Sequence, residues 1–175
     1  MRHLAEGLPM ITRLTCVIAV LLVAAVTRAD EPKDLDKIPK PVMEALKAKF
    51  PSAKIRKWTK ETEKGKVVYD IELTQENGKK AEADIFEDGT IENFEREFDA
   101  KELPEAVTAA VEKKYPKAKM KEVMEITEIK DKKEVHGGFE IVLETAEKKE
   151  VEVTVSKEGR ILEDSGEKKD KKDKE

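Results

Sequence analysis

Two hydrophobic periods alternate along the chain. Val42, Ala45, Leu46 and Phe50 fall at i, i+3, i+4 and i+8, which is one stripe of a helix. Pro39 and Pro41 suit the first turn, where a missing N–H costs little, and Pro51 ends the element by disfavouring helical backbone at Phe50. From Val67 the period drops to two. Val67, Tyr69, Ile71 and Leu73 alternate with Val68, Asp70, Glu72 and Thr74, the pattern of a half-buried strand. Asn77-Gly78 predicts a hairpin of type I′, in which both central residues take positive φ. Ala81, Ala83 and Ile85 then share one face of the next strand. Glu87-Asp88-Gly89 fits a three-residue loop that pairs Ile85 with Ile91.

The same order then returns. Lys114-Tyr115-Pro116-Lys117-Ala118-Lys119-Met120 answers Lys49-Phe50-Pro51-Ser52-Ala53-Lys54-Ile55 at a spacing of 65 residues, behind a second helical stripe of Val107, Ala110, Val111 and Tyr115. Phe139-Glu140-Ile141-Val142-Leu143 answers Tyr69-Asp70-Ile71-Glu72-Leu73 at a spacing of 70. Val151, Val153 and Val155 follow, then Lys157-Glu158-Gly159. The extra residues fall near Lys130 to Gly138, where Gly137-Gly138 reads as a flexible loop. A fixed period of this kind is one supersecondary unit used twice. The expectation is therefore an α+β fold of two tandem repeats, 38–99 and 100–164. Each repeat is a short helix packed on one face of an antiparallel β-meander of about four strands. A unit of about 65 residues is marginal by itself. The two are expected to pack side by side.

The ends add a location. Arg2 and Arg13 supply positive charge ahead of an apolar run, Cys16 to Val26, of 11 residues, followed by Thr27-Arg28-Ala29. That run is too short for a membrane span, which needs about 20 residues, and fits the apolar core of a secretory signal. Residues 1–29 are expected to be a signal peptide and 30–37 a disordered lead-in, with Met10 an alternative start and an uncleaved anchor the rival reading. Residues 165–175 form a charged tail with nothing apolar to bury beyond Gly166, expected to be disordered. Removing 1–29 leaves 32 basic and 38 acidic residues, a net charge of −6. The lysines and glutamates are interleaved with no basic stripe, so a nucleic-acid partner has no electrostatic footprint. Cleavage also removes Cys16, the one cysteine, so no intramolecular disulfide is expected and packing must hold the fold. The predicted location is periplasmic or secreted, with no membrane span once the signal is cut.

The order of helix, aromatic-Pro-x-Ala-Lys, Tyr-x-Ile-x-Leu, Asn-Gly and Phe-x-x-x-Gly or Asp-Gly resembles the PepSY-like domain family, in tandem from Ile38 to about Glu163. The pair is similar to the β-lactamase inhibitory protein-like fold. The resemblance implies an exported bacterial protein with a noncatalytic, protein-binding and even inhibitory role. The second unit departs from the first: it lacks the Asn-Gly turn and carries Val123 where the first has Trp58. The two units are therefore not expected to bind alike.

Chemistry is sparse. Past the signal there is one histidine, His136, no cysteine, no Gly-rich phosphate loop and no serine elbow. His136 is expected on an exposed loop rather than as a general base, and zinc finds too few ligands. No enzyme and no cofactor is predicted. The surface of interest is the sheet face turned from the helix. Asp70, Glu72, Glu82 and Asp84 are predicted there on adjacent strands, with Phe86, and with Phe94 if its strand is unbroken. Trp58 is kept as a candidate anchor, core and interface readings standing equal. Carboxylates around aromatic anchors suit a protein partner in the cell envelope. A second reading is cation or small-ligand binding by the acidic patch, since Ca²⁺ takes several oxygens. A third is self-association through sheet edges.

Overall fold

The computed structural model describes residues 34–63 and 65–166. The expected signal peptide, the start of the lead-in and the end of the charged tail lie outside these residues. Within the lead-in, Leu35–Lys37 form a single 3-10 turn.

Eight antiparallel strands form one sheet in chain order: β1 (Lys54–Glu63), β2 (Lys66–Thr74), β3 (Lys80–Phe86), β4 (Ile91–Glu97), β5 (Lys119–Lys130), β6 (Lys133–Glu144), β7 (Glu150–Val155) and β8 (Ile161–Asp164). Helix α1 (Lys40–Lys49) precedes β1, and α2 (Glu105–Lys114) lies between β4 and β5. The fold is thus α+β. β4 pairs directly with β5, from Asn93 opposite Glu128 to Glu97 opposite Met124, so the sheet runs unbroken through the chain.

Each helix is held by the stripe its spacing defines. Val42, Leu46 and Phe50 pack with Tyr69, Ile71, Leu73, Ala81, Ala83, Ile85 and Phe94. Val107 and Val111 pack with Val123, Phe139, Ile141, Leu143, Val153 and Val155. Burying one such aliphatic side chain contributes about 1.5–3 kcal/mol. Both helices cover the same face. Phe94 of the first core sits opposite Thr127, and β5 alternates regularly back from Thr127 to Val123 of the second core.

Bulges decide which side chains share that face. In β1 the register passes from Ile55 to Lys57, leaving Arg56 unpaired, so Ile55 and Trp58 both turn toward the helices. A strictly alternating strand would place them on opposite faces. In β4 the register skips Glu92, which turns Asn93 outward and Phe94 inward. The same skips recur at Lys121 and at Leu162. In β6 the skipped residue is Gly137.

Two turns differ from the sequence expectation. At Asn77-Gly78 only Gly78 has positive φ, 82°, and its N–H donates to Gln75 O, as in a type I turn closed by a left-handed residue. Both-positive geometry appears instead at Asp131 and Lys132, φ 51° and 61°, capping an extended β5–β6 hairpin. Gly137-Gly138 lies inside β6 rather than in a loop. A Cβ on Gly137 would meet Ile126 Cγ2 at 2.8 Å, and one on Gly138 would meet Val155 O at 2.7 Å. Gly137 is there for close approach, and Gly138 both for close approach and for its φ of 131°.

Lys148 makes the turn that Gly78 makes, with the matching hydrogen bonds and a φ of 63°. A left-handed non-glycine residue costs about 1–2 kcal/mol, of which glycine's greater unfolded-state entropy returns about 0.5–1. Lys148→Gly is therefore expected to stabilise the protein by up to about 1 kcal/mol, read as a higher melting temperature.

Candidate functional site

The face turned from the helices is built by the same alternation that builds the core. Ile71 and Tyr69 point inward, so Glu72, Asp70 and Val68 point outward. The register sets Glu72 opposite Glu82, Asp70 opposite Asp84 and Val68 opposite Phe86. Glu82 then faces Glu95, and Asp84 faces Asn93. Beyond β4, Glu95 lies opposite Ile126 and Glu97 opposite Met124. Met124 faces Glu140, Val142 faces Glu152, and Thr154 faces Glu163. Acidic side chains thus flank an apolar strip on β5 and β6.

That strip is unusually dry for a face with no helix over it: Ile126 is 2 % exposed and Met124 3 %. Such burial requires the sheet to bend toward this side so that neighbouring side chains close over it. The five skipped residues supply the bend, because each bulge kinks and twists its strand. Val135, opposite Glu128, is the exposed apolar residue at the end of the strip, 41 % exposed.

Part of the acidic set is compensated. Lys57 Nζ lies 2.8 Å from Glu72 Oε1, and Lys80 Nζ lies 2.5 Å from Glu122 Oε2. Asn93 Nδ2 donates to Asp84 Oδ2 at 2.8 Å, and Thr59 Oγ1 to Asp70 Oδ2 at 3.5 Å. The centre is not. Among the described residues no ion pair reaches Glu82, Glu95 or Glu140, and the Oε2 atom of Glu95 is buried and accepts no hydrogen bond. Burial, then the charges of Asp70, Glu72 and Asp84, pushes the Glu82 carboxyl up to about 7. Burial pushes Glu95 well above the usual carboxylate range, with Glu140 and Glu82 adding repulsion. Glu140 moves the same way, through burial first and Glu152 next. Asp70 is also raised, by burial and then by Glu72.

Of the residues singled out from sequence, Asp70, Glu72, Glu82, Asp84 and Phe86 come together on this face. Phe86 is half-buried, with Lys66 Nζ 4.7 Å from its ring centroid. Phe94 does not join them. It is fully buried beneath α1, edge-on to Phe50 at 6.0 Å, because the bulge at Glu92 reverses its side. Trp58 is half-buried on the helix face, stacked on Tyr69 at 6.2 Å, and so lies away from the acidic face. Sequence reasoning missed Glu95, Glu140, Met124 and Ile126. The alternation that places Phe139 and Ile141 inward already placed Glu140 outward.

His136 lies on β6, exposed, with Nε2 3.4 Å from Glu125 Oε1 and its ring against Phe139. That is an edge contact on the helix face. Among the described residues no group of three or more His, Cys, Asp or Glu side chains is arranged to hold a metal ion. No helix among them is long and apolar enough to cross a membrane.

Comparison with known proteins bears on the same fold. The family model described as "Putative beta-lactamase-inhibitor-like, PepSY-like" matches twice, at residues 27–92 and 67–163. Among curated proteins none matches. Among solved structures, a DUF2874 family protein from Bacteroides uniformis superposes with a TM-score of 0.53 at 17 % identity, covering 72 % of this chain and 87 % of that one. A protein from Bacteroides eggerthii described as periplasmic gives 0.51 at 16 % identity, over 73 % and 87 % of the two chains. A BLIP-like protein from Bacteroides fragilis is 22 % identical over 73 % of this chain and 85 % of that one, with a TM-score of 0.48. At these identities the first two speak for the fold alone.

Proposed function

Since the chain belongs to the PepSY-like, β-lactamase-inhibitor-like family, we propose that it is an exported, noncatalytic protein-binding module, built from two copies of one helix-and-meander unit, whose partner docks on the sheet face turned from the helices. One observation carries the reading. Carboxylates face each other across strands at Asp70–Asp84 and along Glu72–Glu82–Glu95, beside a strip of apolar side chains. Like charges directly opposite one another destabilise a sheet, and sequences selected only for folding avoid them. Local rules broken without a compensating gain in the folded protein mark a functional surface. The inhibitory sense of the family description makes an envelope hydrolase the natural class of partner. The apolar run at 16–26 and the periplasmic protein of similar fold support export.

The test uses a photo-crosslinking residue at Val135, at the exposed end of the strip, and another at Glu112, exposed on α2. In cells, a discrete adduct is expected from position 135 and not from position 112. Adducts from 112 alone, or from neither, would reject the open face as the docking surface.

A further inference from the structure

We infer that the occupant of the open face is a basic, partly apolar segment of a partner protein, which sets a lysine or arginine side chain into the carboxylate cluster around Glu95 and its apolar residues against the strip on β5 and β6. This rests on the protein-binding reading above and specifies the chemistry of the partner.

Two independent features point the same way. The first is charge. Glu72, Glu82 and Glu95 form one row across β2, β3 and β4, and Glu140 stands across β5 from it. The cations that reach this face are held at its margins, Lys57 by Glu72, Lys80 by Glu122, Lys130 by Glu128 and Lys66 over the Phe86 ring. The second is the unsatisfied atom. Glu95 Oε2 is buried beside the apolar strip and accepts no hydrogen bond from any described residue. A buried acceptor without a donor costs about 1–3 kcal/mol and more when charged. An incoming ammonium or guanidinium supplies the missing donor and neutralises the repulsion together. Arginine fits best, because its planar fork can serve two carboxylates at once.

The apolar strip decides against a free inorganic cation. Met124 and Ile126 stand on the strand between Glu95 and Glu140, and among the described residues no three carboxylates are arranged to hold a metal ion. A side chain that carries its charge on an apolar stem satisfies both parts of the surface.

The probe is a labelled seven-residue peptide of alternating arginine and leucine, read by fluorescence anisotropy on the full chain. A glutamate–leucine peptide of the same length is the control. The basic peptide is expected to bind with a salt-sensitive affinity, and the acidic one not to bind. Glu95→Gln and Glu140→Gln should each weaken binding at least tenfold while raising the melting temperature at pH 8.5, since each removes a carboxyl whose ionisation the folded state opposes. A structural role for these carboxylates would move both readouts down together, and that result overturns the inference. So does unchanged binding by the Gln variants, or no binding of the basic peptide by the natural chain. Binding seen only after residues 167–175 are removed would give the face to the chain's own lysine-rich tail. A dimer that the peptide cannot compete away would give it to a second copy. If the adduct at Val135 forms while the peptide fails, the basic occupant is wrong and the docking face stands; if both fail, the face itself is wrong.

Discussion

Unfolding followed across pH should show this protein losing stability as the pH rises from about 5 to about 8. Most proteins with salt-bridged carboxylates do the reverse over the acidic part of that range. Here the deciding groups are carboxyls held above their ordinary values in the folded state. Glu82 moves from 4.5 to about 7, chiefly by burial and then by Asp70, Glu72 and Asp84. Glu95 is raised by burial and then by the charge of Glu140, and Glu140 by burial and then by the charge of Glu152. A raised carboxyl keeps its proton when folded over a range where the unfolded chain has already lost it. Its contribution is therefore complete below about 4.5 and disappears as the pH passes through about 7 for Glu82 and about 8 for Glu140, with Glu95 acting in the same direction. One pH unit of separation corresponds to about 1.4 kcal/mol, so Glu82 alone accounts for on the order of 3 kcal/mol. The opposing groups are exposed or half-buried. Glu134, Glu144 and Glu158 are lowered by Lys49, Lys148 and Ser156 respectively, and what they contribute is lost only as the pH falls through their depressed values. The optimum is thus expected near pH 5. The measurement is the urea midpoint at pH 5 and at pH 8.5, with the higher value at pH 5, and with Glu82→Gln flattening the difference. A midpoint equal or higher at pH 8.5 would mean that these carboxyls ionise without cost, and the account of the face as electrostatically strained would fail.

What the sequence disclosed of this site, and what it hid, follows from where the strands are regular. β2 and β3 pair without a skip from Val68–Phe86 to Thr74–Lys80, so period-two reading placed Asp70, Glu72, Glu82, Asp84 and Phe86 correctly. Phe94 lies one bulge further on, and a bulge inverts every later assignment in its strand. Nothing about Glu92 as a residue announces that it will be the one skipped. Trp58 is ambiguous for the same reason, the skip at Arg56. The helices were legible because their apolar stripes and flanking prolines agree. The β4–β5 pairing was not. Asn93 to Glu97 and Met124 to Glu128 mix polar and apolar positions, and their partnership is fixed by the whole sheet rather than by either segment. The dryness of Met124 and Ile126 was beyond reach for a related reason, since it depends on the bend that several bulges produce together.

Replacing Gly159 by alanine should destabilise the protein by about 3 kcal/mol, the largest effect expected of any one-methyl change in its turns. Gly159 closes the β7–β8 hairpin with a φ of 79°, its N–H donating to Ser156 O at 2.8 Å. The left-handed conformation alone costs an alanine about 1–2 kcal/mol. The added Cβ would also sit 2.4 Å from the carbonyl oxygen of Ala106, in the first turn of α2, and that atom belongs to backbone that cannot rotate away. Either the hairpin or the helix start must lift, and Val107, which anchors the helix in its core, lifts with it. The position therefore couples sheet to helix, which is why a glycine follows the acidic residue in both such loops. Gly89 repeats the arrangement against Pro41 O at 2.8 Å, a looser approach for which a smaller loss is expected. Gly78→Ala separates the two terms. Its φ is 82°, but no atom lies within 4 Å of where the alanine methyl would sit, so only the conformational cost of about 1 kcal/mol remains after the entropy returned from the unfolded state. Midpoints for the three variants in one denaturant series should fall in the order Gly78→Ala, Gly89→Ala, Gly159→Ala from least to most destabilised. Equal losses at Gly78 and Gly159 would show that the hairpin does not press on the helix, and that α2 is seated by its apolar stripe alone.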